Sequence, residues 1–278
     1  MQDRPLRSVL YIPGSNARAL EKAAALPVDA VILDLEDAVA PDAKPAARDT
    51  ALAALRQGFG GRLTLVRVNG LDTEWGADDL DAMADAPCDA LLLPKVDGPE
   101  DVAAARARAD RPCWAMMETA RGILAAPRTA DSVEGLVLGT NDLARELRCD
   151  PGANRAPLLA ALQTCLLAAR AAGVPCIDGV YNAFRDEDGL RAECAQGRAL
   201  GMDGKTLIHP AQVAVANAAF APSEAEAEHA QRTIAAHEAA LAEGRGVAVL
   251  DGRIVENLHV DTARRTLAKL DAIAALEG

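Results

Sequence analysis

Short apolar runs, many of them β-branched, alternate along this chain with alanine-rich stretches, and that alternation restricts the possible folds more than any other feature. The runs are SVLYIP (8–13), AVILDL (30–35), LTLVRVN (63–69), ALLLPKV (90–96), CWAMME (113–118), GLVLGT (135–140), CIDGVY (176–181) and GKTLIH (204–209). Their apolar character is continuous rather than alternating, as expected of strands covered on both faces in a parallel sheet. Between them NARALEKAAAL, PEDVAAARARA, APLLAALQTCLLAARAAG and EDGLRAECAQGRALG carry helical spacing. Eight such βα units predict an α/β chain whose residues 1–220 close into a (β/α)8 TIM barrel. A doubly wound open sheet is the competing arrangement, but YIPGSNAR after the first run lacks the GxGxxG loop of a dinucleotide fold.

The pattern changes after the eighth run. Residues 222–244 open with a capping box from Ser223 to Glu226 and read as one amphipathic helix. A hairpin over 246–257 turning at Asp251-Gly252, then a helix over 261–276, complete a helix-hairpin-helix extension, residues 221–278. So short a segment is expected to pack on the barrel or on an adjacent subunit.

Half the residues are apolar, enough for a large core, and the formal net charge is -12. That balance argues against nonspecific nucleic-acid binding and against an anionic membrane surface. An anionic substrate therefore needs a local cluster of arginine or lysine. The first thirty residues lack the pattern of a secretory signal and no apolar run is long enough to span a bilayer, so a cytoplasmic location is expected. The six cysteines show no CxxC spacing and the four histidines no HxxxH pair, which argues against a zinc site and a disulfide framework.

Barrels of this kind place their chemistry at the carboxyl ends of the strands. Those ends supply Glu36 and Asp37, Arg67 and Asn69, Lys95, Glu118, Asn141 and Asp142, and His209. In AVILDLEDAV, period-two alternation puts Asp34 and Glu36 on one face and Asp37 on the other or in the following turn. Carboxylates that close need a cation, an arginine or a proton to compensate them. Glu118 and Asp142 are the best placed ligands for magnesium, a hard cation that is usually held by one or two carboxylates. Glu36 and Asp37 then orient ligands or waters, or fix an arginine. Asp142 could instead cap the helix that follows it. Arg67, inside a strand, suits a substrate carboxylate or an enolate oxygen, with a salt bridge to Glu36 as its structural alternative. Pro13-Gly14-Ser15 leading to Arg18 and Lys22 suggests a phosphate contact, although two cations four residues apart also describe a solvated face.

Taken in order, RSVLYIPGSNARALEKA, VILDLEDAV, LVRVNG, LLLPKV, METARGI, GTNDLA and GKTLIHPAQ closely resemble the citrate lyase beta-subunit-like family, which includes malyl-CoA and citramalyl-CoA lyases of the HpcH/HpaI aldolase superfamily. The resemblance runs from Arg7 to about Gln212 and resumes in the tail. It implies a magnesium-dependent barrel, usually a homotrimer, that cleaves or forms a carbon-carbon bond in a 3-hydroxyacyl-CoA. The products are acetyl-CoA and a 2-oxo acid. It also implies Glu118 and Asp142 as metal ligands and Arg67 as the substrate arginine. The acid that protonates the enolate is, in the family, a tail aspartate reaching into a neighbouring subunit. Here GRIVEN puts Glu256 at that position, with Asp261 as the alternative acid. Three alternatives stand beside the lyase: a citrate lyase beta subunit acting on a carrier-protein thioester, a malyl-CoA thioesterase, and a ligand-binding barrel without a catalytic acid.

Overall fold

The computed structural model describes residues 4–277. They form two compact units, one spanning Leu6–Phe220 and one from Ala221 onward. In the first unit eight parallel strands close into a barrel in sequence order: β1 (Ser8–Pro13), β2 (Ala30–Asp34), β3 (Leu63–Arg67), β4 (Ala90–Leu93), β5 (Cys113–Met117), β6 (Leu136–Leu138), β7 (Cys176–Asp178) and β8 (Gly204–Leu207). Pairing of Ser8 with Lys205 and of Leu10 with Leu207 closes it. The open doubly wound sheet is thereby excluded.

Helices α1 (Ala17–Ala23), α2 (Lys44–Gln57), α3 (Gly76–Met83), α4 (Pro99–Arg108), α5 (Ala120–Ala130), α6 (Thr140–Leu147), α7 (Leu159–Ala172), α8 (Glu187–Leu200) and α9 (Val213–Phe220) lie between and after the strands. Two apolar layers explain the continuous runs. Ala30, Ile32, Leu63, Leu65, Leu92, Trp114 and Val137 fill the barrel interior, while Leu10, Val31, Leu33, Val66, Leu91 and Leu136 face the helices. Fully burying one such aliphatic side chain contributes about 1.5–3 kcal/mol.

Most strands end one to three residues before their apolar runs do. Residues such as Leu35, Val68 and Ile208 lie past the last ladder pair, where the chain leaves the sheet at the barrel mouth. The outer layer also holds a buried ionic network that the sequence reading did not foresee. Lys205 Nζ donates to Glu193 Oε1 at 2.6 Å and to Asp178 Oδ2 at 3.3 Å, and Arg155 Nη1 donates to Asp178 Oδ1 at 2.6 Å. Burial alone would raise the Asp178 pKa, but Lys205 and Arg155 together hold it below its ordinary value.

The second unit contains α10 (Glu224–Ala242), a hairpin of β9 (Ala248–Leu250) and β10 (Arg253–Val255), and α11 (Asn257–Glu277). Ser223 and Glu226 form the expected capping box, and Asp251 and Gly252 turn the hairpin with φ of +50° and +75°. The unit has a small apolar cluster of its own around Ala240, Ala248, Val255 and Val260. The last helix begins at Asn257 rather than at 261, because the His259 ring accepts the Glu256 N–H at 3.0 Å and so starts the helix earlier. Among the described residues, no helix is long and apolar enough to cross a membrane.

Candidate active site

Asp34 and Arg67 end adjacent strands and face each other in register, so their side chains meet at the mouth of the barrel. Arg67 Nε and Nη2 donate to the two Asp34 carboxylate oxygens at 2.7 and 2.6 Å, a bidentate pair buried on both sides. Asp34 also accepts from the backbone of Glu36 and Ala38, which curls the turn after β2 back toward the arginine. Glu36 Oε2 lies 2.8 Å and Asp37 Oδ2 3.4 Å from Arg67 Nη1, and the guanidinium sits 5.0 Å above the Tyr11 ring. The clustered carboxylates of AVILDLEDAV thus converge on one arginine. Burial would lower the Arg67 pKa, yet Asp34 outweighs it and holds the group well above its ordinary value.

A second layer fixes that turn. Lys44 Nζ donates to the Leu35 and Glu36 carbonyls at 2.9 and 2.8 Å, and Asn69 Nδ2 donates to the Leu35 carbonyl at 2.9 Å and to Asp79 at 2.6 Å. Burial lowers the Lys44 pKa. Asp34, Lys44, Asp79 and Tyr11 were absent from the candidate set. Equal placement of Asp34 and Arg67 at the ends of neighbouring runs was the available signal for the first.

Glu118 follows β5 on the interior face and is 1% exposed. Its Oε1 accepts the Lys95 N–H at 2.8 Å. Its other side presses on Gly139, where an added Cβ would stand 2.3 Å from Oε2, so only glycine fits without moving the carboxyl group. Burial, then the negative charge of Glu36, pushes the Glu118 pKa up to about 7, and Asp142 adds to the effect. Asp142 is the third residue of α6, past the Gly139 N-cap, so it does not cap the helix. Its side chain is 22% exposed and pairs with Arg145 at 2.5 Å. Lys95 links the two halves of the cluster, since its Nζ makes a close ion pair with Glu36 Oε1. Burial would lower the Lys95 pKa and raise that of Glu36. The ion pair reverses the first effect, whereas Glu36 remains raised.

The donor set fits magnesium. Glu118 and Asp142 offer hard carboxylate oxygens, and the buried Glu36 Oε2 has the Arg67 ion pair but no hydrogen bond. Among the described residues no group of three or more His, Cys, Asp or Glu side chains is arranged to hold a metal. A cation held by Glu118 and Asp142 would complete its shell with water or substrate oxygens, a pattern magnesium accepts.

Other expected residues engage different partners. Arg18 and Lys22 are exposed on α1, whose N-terminus is capped by the Asn16 side chain accepting from Ala19 at 3.0 Å. The Gly14 amide donates to the Asp34 carbonyl at 2.7 Å and is occupied by that bond. His209 accepts from Ala211 and stacks on Phe184, which gives it a capping role. Asn141 exchanges hydrogen bonds with Asn182. Glu256 and Asp261 are exposed in the second unit, Glu256 at the start of α11.

Residues 7–210 match the HpcH/HpaI aldolase/citrate lyase family, and residues 156–269 match the C-C bond lyases of the TIM-barrel fold. A (3S)-malyl-CoA thioesterase of Cereibacter sphaeroides is 59% identical, the match covering 99% of this chain and 98% of that protein. Citrate lyase subunit beta of Escherichia coli is 37% identical over 96% of this chain and 94% of its own. CitE of Mycobacterium tuberculosis, crystallised with magnesium, acetoacetate and coenzyme A, superposes with a TM-score of 0.81 at 31% identity, covering 98% of this chain and 100% of that one. The chain belongs to the HpcH/HpaI aldolase/citrate lyase family.

Proposed function

We propose that this protein is a magnesium-dependent thioesterase of a malyl-CoA-type 3-hydroxyacyl-CoA, releasing the hydroxy acid and free CoA. The carrying observation is near full-length identity of 59% to a (3S)-malyl-CoA thioesterase. The retained Arg67, Glu118 and Asp142 are consistent with it. Glu118 and Asp142 would hold the cation. Magnesium, when bound, supplies a Lewis acid that orients the hydroxy-carboxylate end of the acyl group.

The chain's own residues account for the rest. Arg67 has one Nη2 proton beyond its two bonds to Asp34, and that N–H stabilises negative charge developing on the thioester oxygen. Glu36, whose Oε2 is ion-paired with Arg67 Nη1 at 2.8 Å but accepts no hydrogen bond, takes a proton from the attacking water. A C–O bond forms, the C–S bond breaks, and the CoA thiolate departs to take up a proton from solvent. The reading includes an oligomer, a homotrimer in which the tail reaches a neighbouring subunit's site and brings Glu256 there as the acid of a carbon-carbon cleavage, supplying a proton that hydrolysis does not need.

One observation favours a second reading, cleavage of the same thioester to acetyl-CoA and a 2-oxo acid. The C-C bond lyase match spans residues 156–269, the region that carries Glu256. Incubating the purified protein with (3S)-malyl-CoA and magnesium, then measuring thiol and acids by mass spectrometry, separates the two. Equal amounts of malate and free CoA, lost on adding EDTA, are expected. Acetyl-CoA with glyoxylate would replace the thioesterase with the lyase.

A further inference from the structure

We infer that Lys95 is a positioning residue for the cation site, acting through its backbone amide on Glu118. This rests on the reading that Glu118 and Asp142 hold magnesium. Lys95 has φ of +48°, in the left-handed region that a side chain with a Cβ enters at a cost. Left-handed lysine is uncommon, and here it stands directly at the mouth of the barrel. Such a conformation persists only where the surroundings hold it, and it is a recurrent feature of functional sites.

Two contacts hold it here. The Lys95 N–H donates to Glu118 Oε1 at 2.8 Å, and Nζ pairs with Glu36 Oε1. Among the described residues no other donor is bonded to Glu118. The amide therefore selects which carboxylate oxygen is occupied, and Oε2 is left beside Gly139, at the start of the helix that carries Asp142. Relaxing φ toward the right-handed or extended region swings the 94–95 peptide plane relative to the chain after it. The N–H then leaves Oε1, and Glu118 loses both its orientation and its sole donor. The lysine side chain plays a different part: by joining Glu36 across the mouth it ties the end of β4 to the turn after β2, and this offsets the cost of the left-handed backbone.

The two contributions separate by substitution. Lys95→Gly removes the ammonium but adopts φ of +48° freely, whereas Lys95→Ala removes the same ammonium and keeps the Cβ penalty. Titration calorimetry with magnesium alone measures the affinity of each folded variant, and electron paramagnetic resonance of bound manganese reports the ligand arrangement. Glu118→Gln serves as the metal-site control. The Gly variant should bind magnesium at least as tightly as wild type, and the Ala variant about tenfold more weakly than the Gly variant. Should the Ala protein fail to fold, Lys95→Ser supplies the penalised arm. Equal affinities in the Gly and Ala (or Ser) variants would overturn the inference. Absence of magnesium binding in the wild type would overturn the metal assignment and the inference with it, and is recognised before the variants are compared.

Discussion

Lowering the pH from 8 to 6 should weaken magnesium binding by about tenfold through Glu118 alone. Proton and cation compete for this carboxylate, so the apparent dissociation constant scales as one plus the ratio of protonated to ionised Glu118. With a pKa near 7 in the metal-free protein, that factor is about 1.1 at pH 8 and about 11 at pH 6. The difference corresponds to about 1.4 kcal/mol. A carboxylate at the ordinary value of 4.5 would leave affinity almost unchanged over the same range. Binding should also release about 0.9 proton at pH 6 and about 0.1 at pH 8, which calorimetry in buffers of different ionisation enthalpy measures directly. The stability linkage has the matching sign. A carboxyl group whose folded pKa is raised stabilises the fold below its unfolded pKa and loses that contribution as pH rises through the folded one, so the metal-free protein should weaken by about 3 kcal/mol between pH 4 and 8 from this residue. Magnesium should restore it. A dissociation constant that is flat between pH 6 and 8, with no proton release, would refute the account of Glu118 as the uncompensated group.

Asp34→Asn leaves the buried Arg67 without its bidentate partner and should cost about 3–5 kcal/mol in urea denaturation. Gly139→Ala forces Glu118 aside; magnesium affinity should fall by at least about tenfold, and a wild-type isotherm would count against the close fit. Lys205→Met strips Asp178 of one buried cation and should destabilise by about 3–5 kcal/mol, while magnesium affinity stays at the wild-type value. Glu256→Gln should leave thioester hydrolysis intact and abolish any acetyl-CoA release; equal loss of both would make Glu256 common to the two reactions.

Much of the barrel was legible because burial on both faces leaves a continuous apolar run, a signal that needs no knowledge of partners. The strand ends were less legible, since Leu35 and Val68 remain apolar after leaving the ladder and pack against helices instead. Within the site, Arg67, Glu36, Glu118 and Asp142 could be named from their positions at strand ends. Asp34 could have been added by aligning ILD with LVR, because parallel neighbours bring equal offsets together. No such reasoning reaches Lys44 or Asp79, which meet the turn from helices whose rotation about the barrel is set by tertiary packing. The left-handed Lys95 is equally silent in sequence, as lysine carries no preference for that conformation. The buried Asp178 network escaped for the opposite reason: Lys205 and Asp178 stand in apolar runs on the helix-facing side, where only the structure reveals their mutual compensation.

Charge pairing at the mouth explains why Glu118, rather than its neighbours, is the group that waits for a cation. Arg67 is spent on Asp34 and lies against Glu36 and Asp37, and the Lys95 ammonium is spent on Glu36. Lys44 gives its protons to backbone carbonyls, and Asp142 has Arg145. Glu118 is left with one neutral N–H, deep in the barrel and within the field of Glu36 and Asp142. A neutral donor cannot offset the cost of a buried charge in that field, so the group takes a proton or a metal. Adding a lysine beside Glu118 would remove the need for either, and with it the affinity for a divalent ion. With every nearby cation already paired, Glu118 would be the carboxylate that a divalent ion compensates.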